Sequence, residues 1–198
     1  EPMKSLPTEA INQLFLEART INDFASTPIE DAVLRQLYGI AKMGPTAANS
    51  NPARFYFIKS ETAKARLKPY LAPNNVEKTL KAPVVAIAAF DPLFYDKVPK
   101  LFPHAPVARD WFKDSPDGGQ AAGHMNATLG AAYLIMAARA IGLECGPMAG
   151  FDNAGVDAEF FGQNGWKSNF LINLGNRSDA PIFPRLPRLD FDEACFID

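Results

Sequence analysis

The chain has 198 residues, 47% of them hydrophobic and 21% charged, with a formal net charge of -2. This length and composition predict one globular domain, residues 1–198, with a sizeable core, and they exclude extensive disorder. The charge provides no basic surface of the kind that duplex nucleic acid requires, so we expect no nucleic-acid partner. The two cysteines provide neither a disulfide framework nor a structural zinc site.

The sequence predicts no membrane partner. The first residues, Glu-Pro-Met-Lys, contain no apolar stretch typical of a secretory signal. The apolar segment Ala121–Ile141 is interrupted by His124, Asn126 and Arg139, which favours a buried core helix over a membrane span. We therefore expect a cytoplasmic location in a reducing compartment.

The first predicted helix covers about Glu9–Arg19, with Thr8 as its capping residue. Its end brings together a cation, a hydroxyl and an amide on Arg19, Thr20 and Asn22. These groups suit phosphate or ribityl oxygens. A solvated helix end is the alternative, since charge at helix ends is common.

A second helix is predicted to open at Thr27-Pro28 and to stop near Gly44. The following loop, Pro45–Arg54, consists mainly of small polar residues between prolines and leads into a strand, Phe55–Ile58. Loops held between a helix and a strand often carry binding groups, although a plain surface loop is the alternative.

The next helices are predicted from their caps. Ser60 is expected to cap a helix from Glu61 to about Tyr70, and Pro73 to lead another that contains Asn75 and Lys78. These last two side chains lie one turn apart, so they could reach the same edge of a ligand. A solvated lysine is the alternative.

The apolar run Ala82–Phe90 predicts a strand buried on both faces in the middle of a sheet. From Asp91 to Gly119, interleaved aromatic, proline and charged residues predict an excursion or lid over a site. His104, Arg109 and Phe112 in this excursion are candidate substrate contacts. Surface or structural roles are the alternative for His104 and Arg109.

Gly142 is expected to end the central helix. In the turn that follows, Pro147 lacks a backbone donor and Gly150 lacks a Cβ, so a flat ligand could lie against the main chain. The N–H groups of Ala149 and Gly150 would face such a ligand. An ordinary turn is the alternative.

The remaining elements are a short helix capped by Asp152, a strand over Lys167–Gly175, and an irregular tail over Phe183–Leu189. The arginines of the tail, Arg185 and Arg188, are placed to close on an anion.

Several catalytic signatures are absent. The chain has no Gly-x-Gly-x-x-Gly after a strand, no phosphate-loop Gly-x-x-x-x-Gly-Lys motif, no Gly-x-Ser-x-Gly elbow and no Cys-x-x-Cys pair. With two histidines only, a serine-hydrolase triad or a histidine-rich metal site has little to build on, and we identify no metal ligands. Scattered binding groups without an acid–base pair indicate that a cofactor carries the reaction.

Five motifs, taken together and in order, resemble those of the FMN-dependent nitroreductase family. They are Arg19-Thr20-x-Asn22-x-Phe24, Gly44-Pro45-Thr46-Ala47-Ala48-Asn49-x-x-Pro52, Asn75-x-x-Lys78, Gly142-Leu143-x-x-x-Pro147-Met148-x-Gly150-Phe151 and Arg185-Leu186-Pro187. The resemblance is closest to the malonic semialdehyde reductase branch of pyrimidine breakdown. The matching segments are Pro52-Ala53-Arg54, Phe94-Tyr95, Leu101-Phe102-Pro103-His104, Lys167-Ser168-Asn169 and Arg185-Leu186-Pro187-Arg188-Leu189.

The resemblance implies an α+β fold of three layers, α/β/α, with a central, mainly antiparallel sheet and an excursion near residues 91–119. It also implies a homodimer with FMN at the subunit interface. The implied cofactor-binding residues are Arg19, Thr20, Asn22, Pro45, Thr46, Ala47, Asn49, Asn75, Lys78, Pro147, Met148, Ala149, Gly150 and Arg185. The chain departs from the family pattern where Ala18, Asn22 and Phe183 replace frequent cations.

The resemblance also implies roles. Arg19 and Arg185 would surround the FMN phosphate, and the Pro45–Asn49 loop would come from the partner subunit. Asn75 would hold the pyrimidine edge, and Lys78 would stabilise negative charge near N1 and O2.

The mechanistic hypothesis is a ping-pong cycle. NAD(P)H delivers hydride to flavin N5 and leaves, and a small-molecule acceptor then takes the hydride, so no protein nucleophile is assigned. Malonic semialdehyde, reduced to 3-hydroxypropionate, is one acceptor. The alternatives are a nitro/quinone reductase of broad specificity and a flavin-binding protein without turnover. The choice between NADH and NADPH stays open.

Overall fold

The computed structural model describes residues 1–198. Four strands form one antiparallel sheet in the order β1-β2-β4-β3: β1 (Ala53–Ile58), β2 (Val84–Phe90), β3 (Glu144–Met148) and β4 (Lys167–Gly175). Nine α-helices accompany it: α1 (Thr8–Ile11), α2 (Asp31–Ala41), α3 (Glu61–Leu67), α4 (Pro73–Lys81), α5 (Val98–Leu101), α6 (Ala108–Lys113), α7 (Gln120–Ala140), α8 (Asn153–Phe161) and α9 (Phe191–Ala194).

Strand β2 is the centre of the molecule, as its unbroken apolar sequence predicts. All seven of its residues are buried. Its alternate side chains point to opposite faces of the sheet. Val84, Ala86 and Ala88 pack with α2 and α7, whereas Val85 and Ile87 pack with α3 and α8. These two cores, one on each face, confirm the predicted three-layer arrangement.

Two predicted N-terminal caps and one predicted helix end are confirmed. The Ser60 hydroxyl accepts a hydrogen bond from Ala63 N at 3.1 Å at the start of α3, and Asp152 accepts one from Gly155 N at 3.1 Å at the start of α8. Helix α7 ends where expected because Gly142 has a φ of 83°, a left-handed value that glycine adopts without strain.

Two helix starts were predicted wrongly. The first helix is shorter than Glu9–Arg19: α1 passes into a π-helical turn over Asn12–Leu16, and Thr8 lies inside the helix and caps nothing. Its apolar side chains, Phe15 among them, remain exposed, so no core packing extends the helix. Helix α2 begins at Asp31 and not at Thr27-Pro28.

The predicted excursion is confirmed as a region of short elements. A 3-10 turn over Phe94–Lys97, α5 and α6 follow one another between β2 and α7. Asn49 Nδ2 donates to Leu101 O at 2.8 Å, so the excursion is tied to the loop before β1. None of the helices combines the length and apolarity that crossing a membrane would need.

Candidate functional site

The segment Arg19–Phe24 runs beside edge strand β3, where backbone hydrogen bonds hold it. Ile21 N donates to Cys145 O at 2.9 Å, and Ser178 N donates to Asp23 O at 3.1 Å. The close approach to β3 depends on Gly146, because a Cβ at that position would lie 2.5 Å from Ile21 O. The sheet therefore fixes where this segment presents its polar side chains.

A cavity of about 930 Å³ opens between this segment and the C-terminal tail. Its polar lining residues, which define the arginine cavity, are Arg19, Thr20, Asn22, Arg139, Arg185 and Arg188. No carboxylate lines it. Four of the chain's nine arginines therefore meet at one cavity in a protein whose net charge is -2. This electrostatic environment favours an anion.

Backbone carbonyls orient the two arginines that the sequence places here. Arg185 Nη2 donates to Leu16 O at 2.8 Å and to Ala18 O at 2.9 Å. Arg19 donates to Phe183 O in the tail. The tail and the end of the first helix are thus held together by the side chains that line the cavity, while other guanidinium N–H groups remain available to a ligand.

Helix α4 carries Asn75 and Lys78 to the same region. Lys78 Nζ donates to Asn22 Oδ1 at 3.3 Å, and both residues line a second cavity of about 350 Å³. The two cavities share Asn22 and Phe183 among their lining residues, so they adjoin, and we refer to the pair as the groove. Partial burial lowers the pKa of Lys78 because it penalises the ammonium form.

The backbone after β3 is the third part of the site. Gly150 O accepts hydrogen bonds from Asn75 Nδ2 and from Ala72 N, both at 3.0 Å. A Cβ on Gly150 would lie 2.7 Å from Asn75 Nδ2, so any larger residue there would displace the Asn75 amide. Pro147 lies in β3, paired with Ile172, and not in a turn as predicted, whereas the exposed Gly150 lies next to the start of α4.

A buried polar cluster lies behind this backbone, and the sequence analysis missed it. Thr79 Oγ1 donates to Met148 Sδ at 3.3 Å, and Asn173 Nδ2 lies 3.3 Å from Thr79 Oγ1. Thr79 and Asn173 are completely buried, and Asn173 Oδ1 has no hydrogen-bond partner. The sequence indicates this cluster only through Asn173, a single polar residue within the apolar run Phe170–Leu174. The cluster fixes α4 against the end of β3.

The Pro45–Asn49 loop does not line the groove. Tyr133 Oη donates to Pro45 O at 2.6 Å, and Ala47 N donates to Asn126 Oδ1 at 2.8 Å, so the loop is anchored on α7. Ala48, Asn49 and Asn51 have φ values of 49°, 50° and 44°. Such backbone strain in non-glycine residues is often found at binding loops. Thr46 lines a small cleft with Tyr133 and not the groove that contains Arg19 and Lys78.

The three candidate substrate residues of the excursion are not in the groove either. Arg109 pairs with Asp96 at 2.8 Å and with Asp110 at 3.2 Å, and the hydrogen bond that it donates to the Asp96 carboxylate raises its pKa. Phe112 packs edge-on against Phe94 with ring centroids 5.1 Å apart. The ring of His104 lies 3.9 Å from that of Phe102, centroid to centroid. Each side chain thus has a structural partner, as the alternative interpretation of His104 and Arg109 predicts.

The structure contains no group of three or more histidine, cysteine, aspartate or glutamate side chains that could hold a metal ion. Burial raises the pKa of the Cys145 thiol to about 12, which leaves it unreactive as a nucleophile. The groove is lined by cations, amides and apolar side chains, and its α4 part also by the carboxylates of Asp23 and Glu77, both of which pair with Lys81.

An antiparallel sheet between helical layers, with this groove at its end, defines an α+β protein of nitroreductase-like fold. A structure from Exiguobacterium sibiricum, described as a "putative nitroreductase in complex with FMN", superposes with a TM-score of 0.85. It is 20% identical, and the match covers 99% of this chain and 100% of the other. At this identity the likeness concerns the fold alone.

The chain belongs to the nitroreductase family, since the family's sequence model matches residues 16–176. A relative from Xanthomonas oryzae pv. oryzae is 55% identical over 96% of this chain and 97% of its own. Another relative, from Burkholderia lata, is 50% identical over 99% of this chain and 100% of its own. Both carry the name "Putative NADH dehydrogenase/NAD(P)H nitroreductase". The expectation of a nitroreductase-family oxidoreductase is confirmed at the level of the family.

Proposed function

We propose that this protein is an FMN-dependent NAD(P)H oxidoreductase. The observation that carries the proposal is the meeting of Arg19, Asn22, Lys78 and Arg185 in one groove beside the Asn75–Gly150 contact. The names of the two sequence relatives and the FMN complex of the Exiguobacterium structure support it.

The residues present fit an FMN molecule. The arginine cavity matches a phosphate in charge, and the side chains of Thr20 and Asn22 suit ribityl hydroxyls. Asn75 and the backbone from Pro147 to Gly150 would hold the ring, with Met148 beneath them in the Thr79–Asn173 cluster. FMN would supply the redox chemistry, with hydride passing from NAD(P)H to N5 and then to the acceptor.

Lys78 would act as an electrostatic stabiliser. Its ammonium group is partly desolvated and held by Asn22. A cation in a partly dry environment stabilises negative charge on a ligand more strongly than one in water. No acid–base or nucleophilic side chain is needed for this role, so the proposal assigns none.

A homodimer would complete the site. The face of α7 that includes Met125 and Leu129 is exposed and apolar, as protein interfaces often are. The Pro45–Asn49 loop lies on that helix, away from the chain's own groove, and it is joined to the excursion by the Asn49–Leu101 hydrogen bond. We infer that Pro45, Thr46, Ala47 and Asn49 serve the FMN of the second copy and that the excursion accompanies them.

Malonic semialdehyde is the finer proposal for the acceptor, and it rests on the branch motifs such as Pro52-Ala53-Arg54. Its carboxylate would need a cation. Arg109 already balances Asp96 and Asp110, so a substrate carboxylate would compete with them. A neutral quinone or nitroaromatic needs no such cation. The charge environment therefore supports a nitro/quinone reductase as the second candidate.

Steady-state kinetics test the proposal. With NADH or NADPH varied against a quinone and against malonic semialdehyde, parallel double-reciprocal lines are expected for a ping-pong cycle. Intersecting lines would contradict it. Arg109→Ala is compared on both acceptors: a loss confined to the acidic aldehyde supports carboxylate recognition, whereas equal losses remove Arg109 from that role.

A further inference from the structure

The sequence departs from its family at the phosphate end, where Ala18, Asn22 and Phe183 stand in place of frequent cations. All three of these residues line the arginine cavity. Two further arginines, which the five family-wide motifs do not include, line the same cavity: Arg139 from the last turn of α7, and Arg188 from the tail, which occurs only in the branch segment Arg185–Leu189. The positive charge missing from the motifs is thus present from other parts of the chain.

The two guanidinium groups remain available to a ligand. Arg139 Nη1 donates to Leu14 O at 2.9 Å, and Arg188 Nη1 donates to Leu186 O at 3.0 Å. Each group therefore uses one nitrogen on a backbone carbonyl. Neither has a carboxylate oxygen within 4.0 Å, in contrast to Arg109 and Arg177. A guanidinium group has five N–H donors, so most of them are free.

Arg139 also borders a separate cleft of about 460 Å³, which is lined by Glu9, Glu17 and Glu144. One of these, Glu144, is already paired with Arg177. The hydrogen bond to Leu14 O holds the Arg139 guanidinium between this cleft and the arginine cavity. Helix α7 orients this arginine and so pre-organises it, which lowers the entropic cost of binding.

We propose that Arg139 and Arg188 bind the phosphate group of the flavin nucleotide and replace the cations absent at positions 18, 22 and 183. This inference rests on the proposed function. It extends the phosphate site to the C-terminal end of α7 and to the tail beyond the Arg185-Leu186-Pro187 motif.

The test compares two ligands that differ by the phosphate alone. FMN and riboflavin are titrated into flavin-stripped protein, with flavin fluorescence as the readout, for the wild type, Arg139→Gln, Arg188→Gln and Arg139→Lys. Arg35→Gln serves as the control, because Arg35 is exposed on α2 and away from the cavity. Thermal unfolding of each apoprotein checks that the variants fold.

Arg139→Gln and Arg188→Gln are expected to weaken FMN binding about tenfold or more, the usual loss for a hydrogen bond to a charged group. They should leave riboflavin affinity within about twofold, and Arg139→Lys should retain part of the FMN preference because it keeps the charge. Higher salt should reduce the difference in FMN affinity between the wild type and the variants, because it screens the arginine–phosphate attraction.

Three results would overturn the inference. Unchanged FMN affinity in both glutamine variants would remove these arginines from the phosphate site while leaving the proposed function intact. Equal weakening of FMN and riboflavin would indicate a structural role only. A wild-type protein that binds neither flavin would refute the proposed function, and the inference with it.

Discussion

Lys78 on α4 and Asn22 in the first motif are joined by a hydrogen bond of 3.3 Å from Nζ to Oδ1, although they are 56 positions apart in the sequence. This contact connects the arginine cavity to α4, and Asn75 on the same helix donates to Gly150 O after β3. Helix α4 therefore links the proposed anion-binding region to the proposed main-chain platform.

Lys78→Met should shift the reduction potential of the bound flavin downward and slow its reduction by NAD(P)H. The physical reason is the loss of a partly desolvated cation, and the expected decrease in rate is about ten- to a hundredfold. Anaerobic stopped-flow absorbance and a redox titration measure the two effects. Lys68→Met, an exposed lysine without an ion pair, is the matched control. An unchanged potential would argue against the role of Lys78.

Gly146→Ala should destabilise the protein by about 1–3 kcal/mol, because the new methyl group would be forced against Ile21 O. It should also displace the Arg19–Phe24 segment and so weaken flavin binding. Gly39→Ala is the control: nothing lies within 4 Å of its added Cβ in α2, so a gain of about 0.5–1 kcal/mol is expected. Urea unfolding measures the stability of both variants. An unchanged free energy of unfolding for Gly146→Ala would show that the Arg19–Phe24 segment can move without a loss of stability.

Asp23→Asn should lower stability at neutral pH and remove part of the acid dependence of unfolding. Hydrogen bonds from Ser178 and Lys81 lower the pKa of Asp23 below its ordinary value of 3.8. The stabilisation is therefore fully present above pH 3.8 and is lost as pH falls through the folded-state pKa. Urea unfolding of both proteins across this range should give a difference that vanishes at the acid end. A difference independent of pH would contradict the assignment.

Leu129→Glu should convert the proposed homodimer into single copies by placing a charge on the exposed apolar face of α7. It should also reduce FMN affinity, because the Pro45–Asn49 loop of the second copy would be lost. Light scattering after size-exclusion chromatography measures the first effect. Ile40→Glu, at an exposed apolar residue of α2 that belongs neither to α7 nor to the excursion, is expected to remain dimeric. A Leu129→Glu protein that keeps the wild-type mass would exclude this face as the interface.

The parts of the fold that local chemistry determines could be predicted from the sequence. Ser60 and Asp152 cap their helices through hydrogen bonds three residues along the chain, and β2 follows from an unbroken apolar run. The predicted first helix was too long because Ile11, Leu14, Phe15 and Ala18 recur at helical spacing and so predict a buried stripe, whereas the structure leaves Phe15 exposed to solvent.

The site was predictable only in part. Motif resemblance indicated Asn75 and Gly150, but their mutual hydrogen bond spans 75 positions and depends on how α4 packs against β3. Thr79 and Asn173 were missed for the same reason, since their contact spans 94 positions. Arg139 sits in an apolar helix, and only the tertiary structure brings it to the arginine cavity.

Anaerobic addition of NADH or NADPH to the FMN-loaded protein, followed by visible absorbance, is the decisive measurement of flavin-dependent reductase activity. FMN should bind stoichiometrically, NADH or NADPH should bleach the flavin absorbance, and a quinone should restore it. A protein that takes up no FMN would contradict the proposed function outright. One that binds FMN but keeps its colour with both nucleotides would be a flavin-binding protein without reductase turnover.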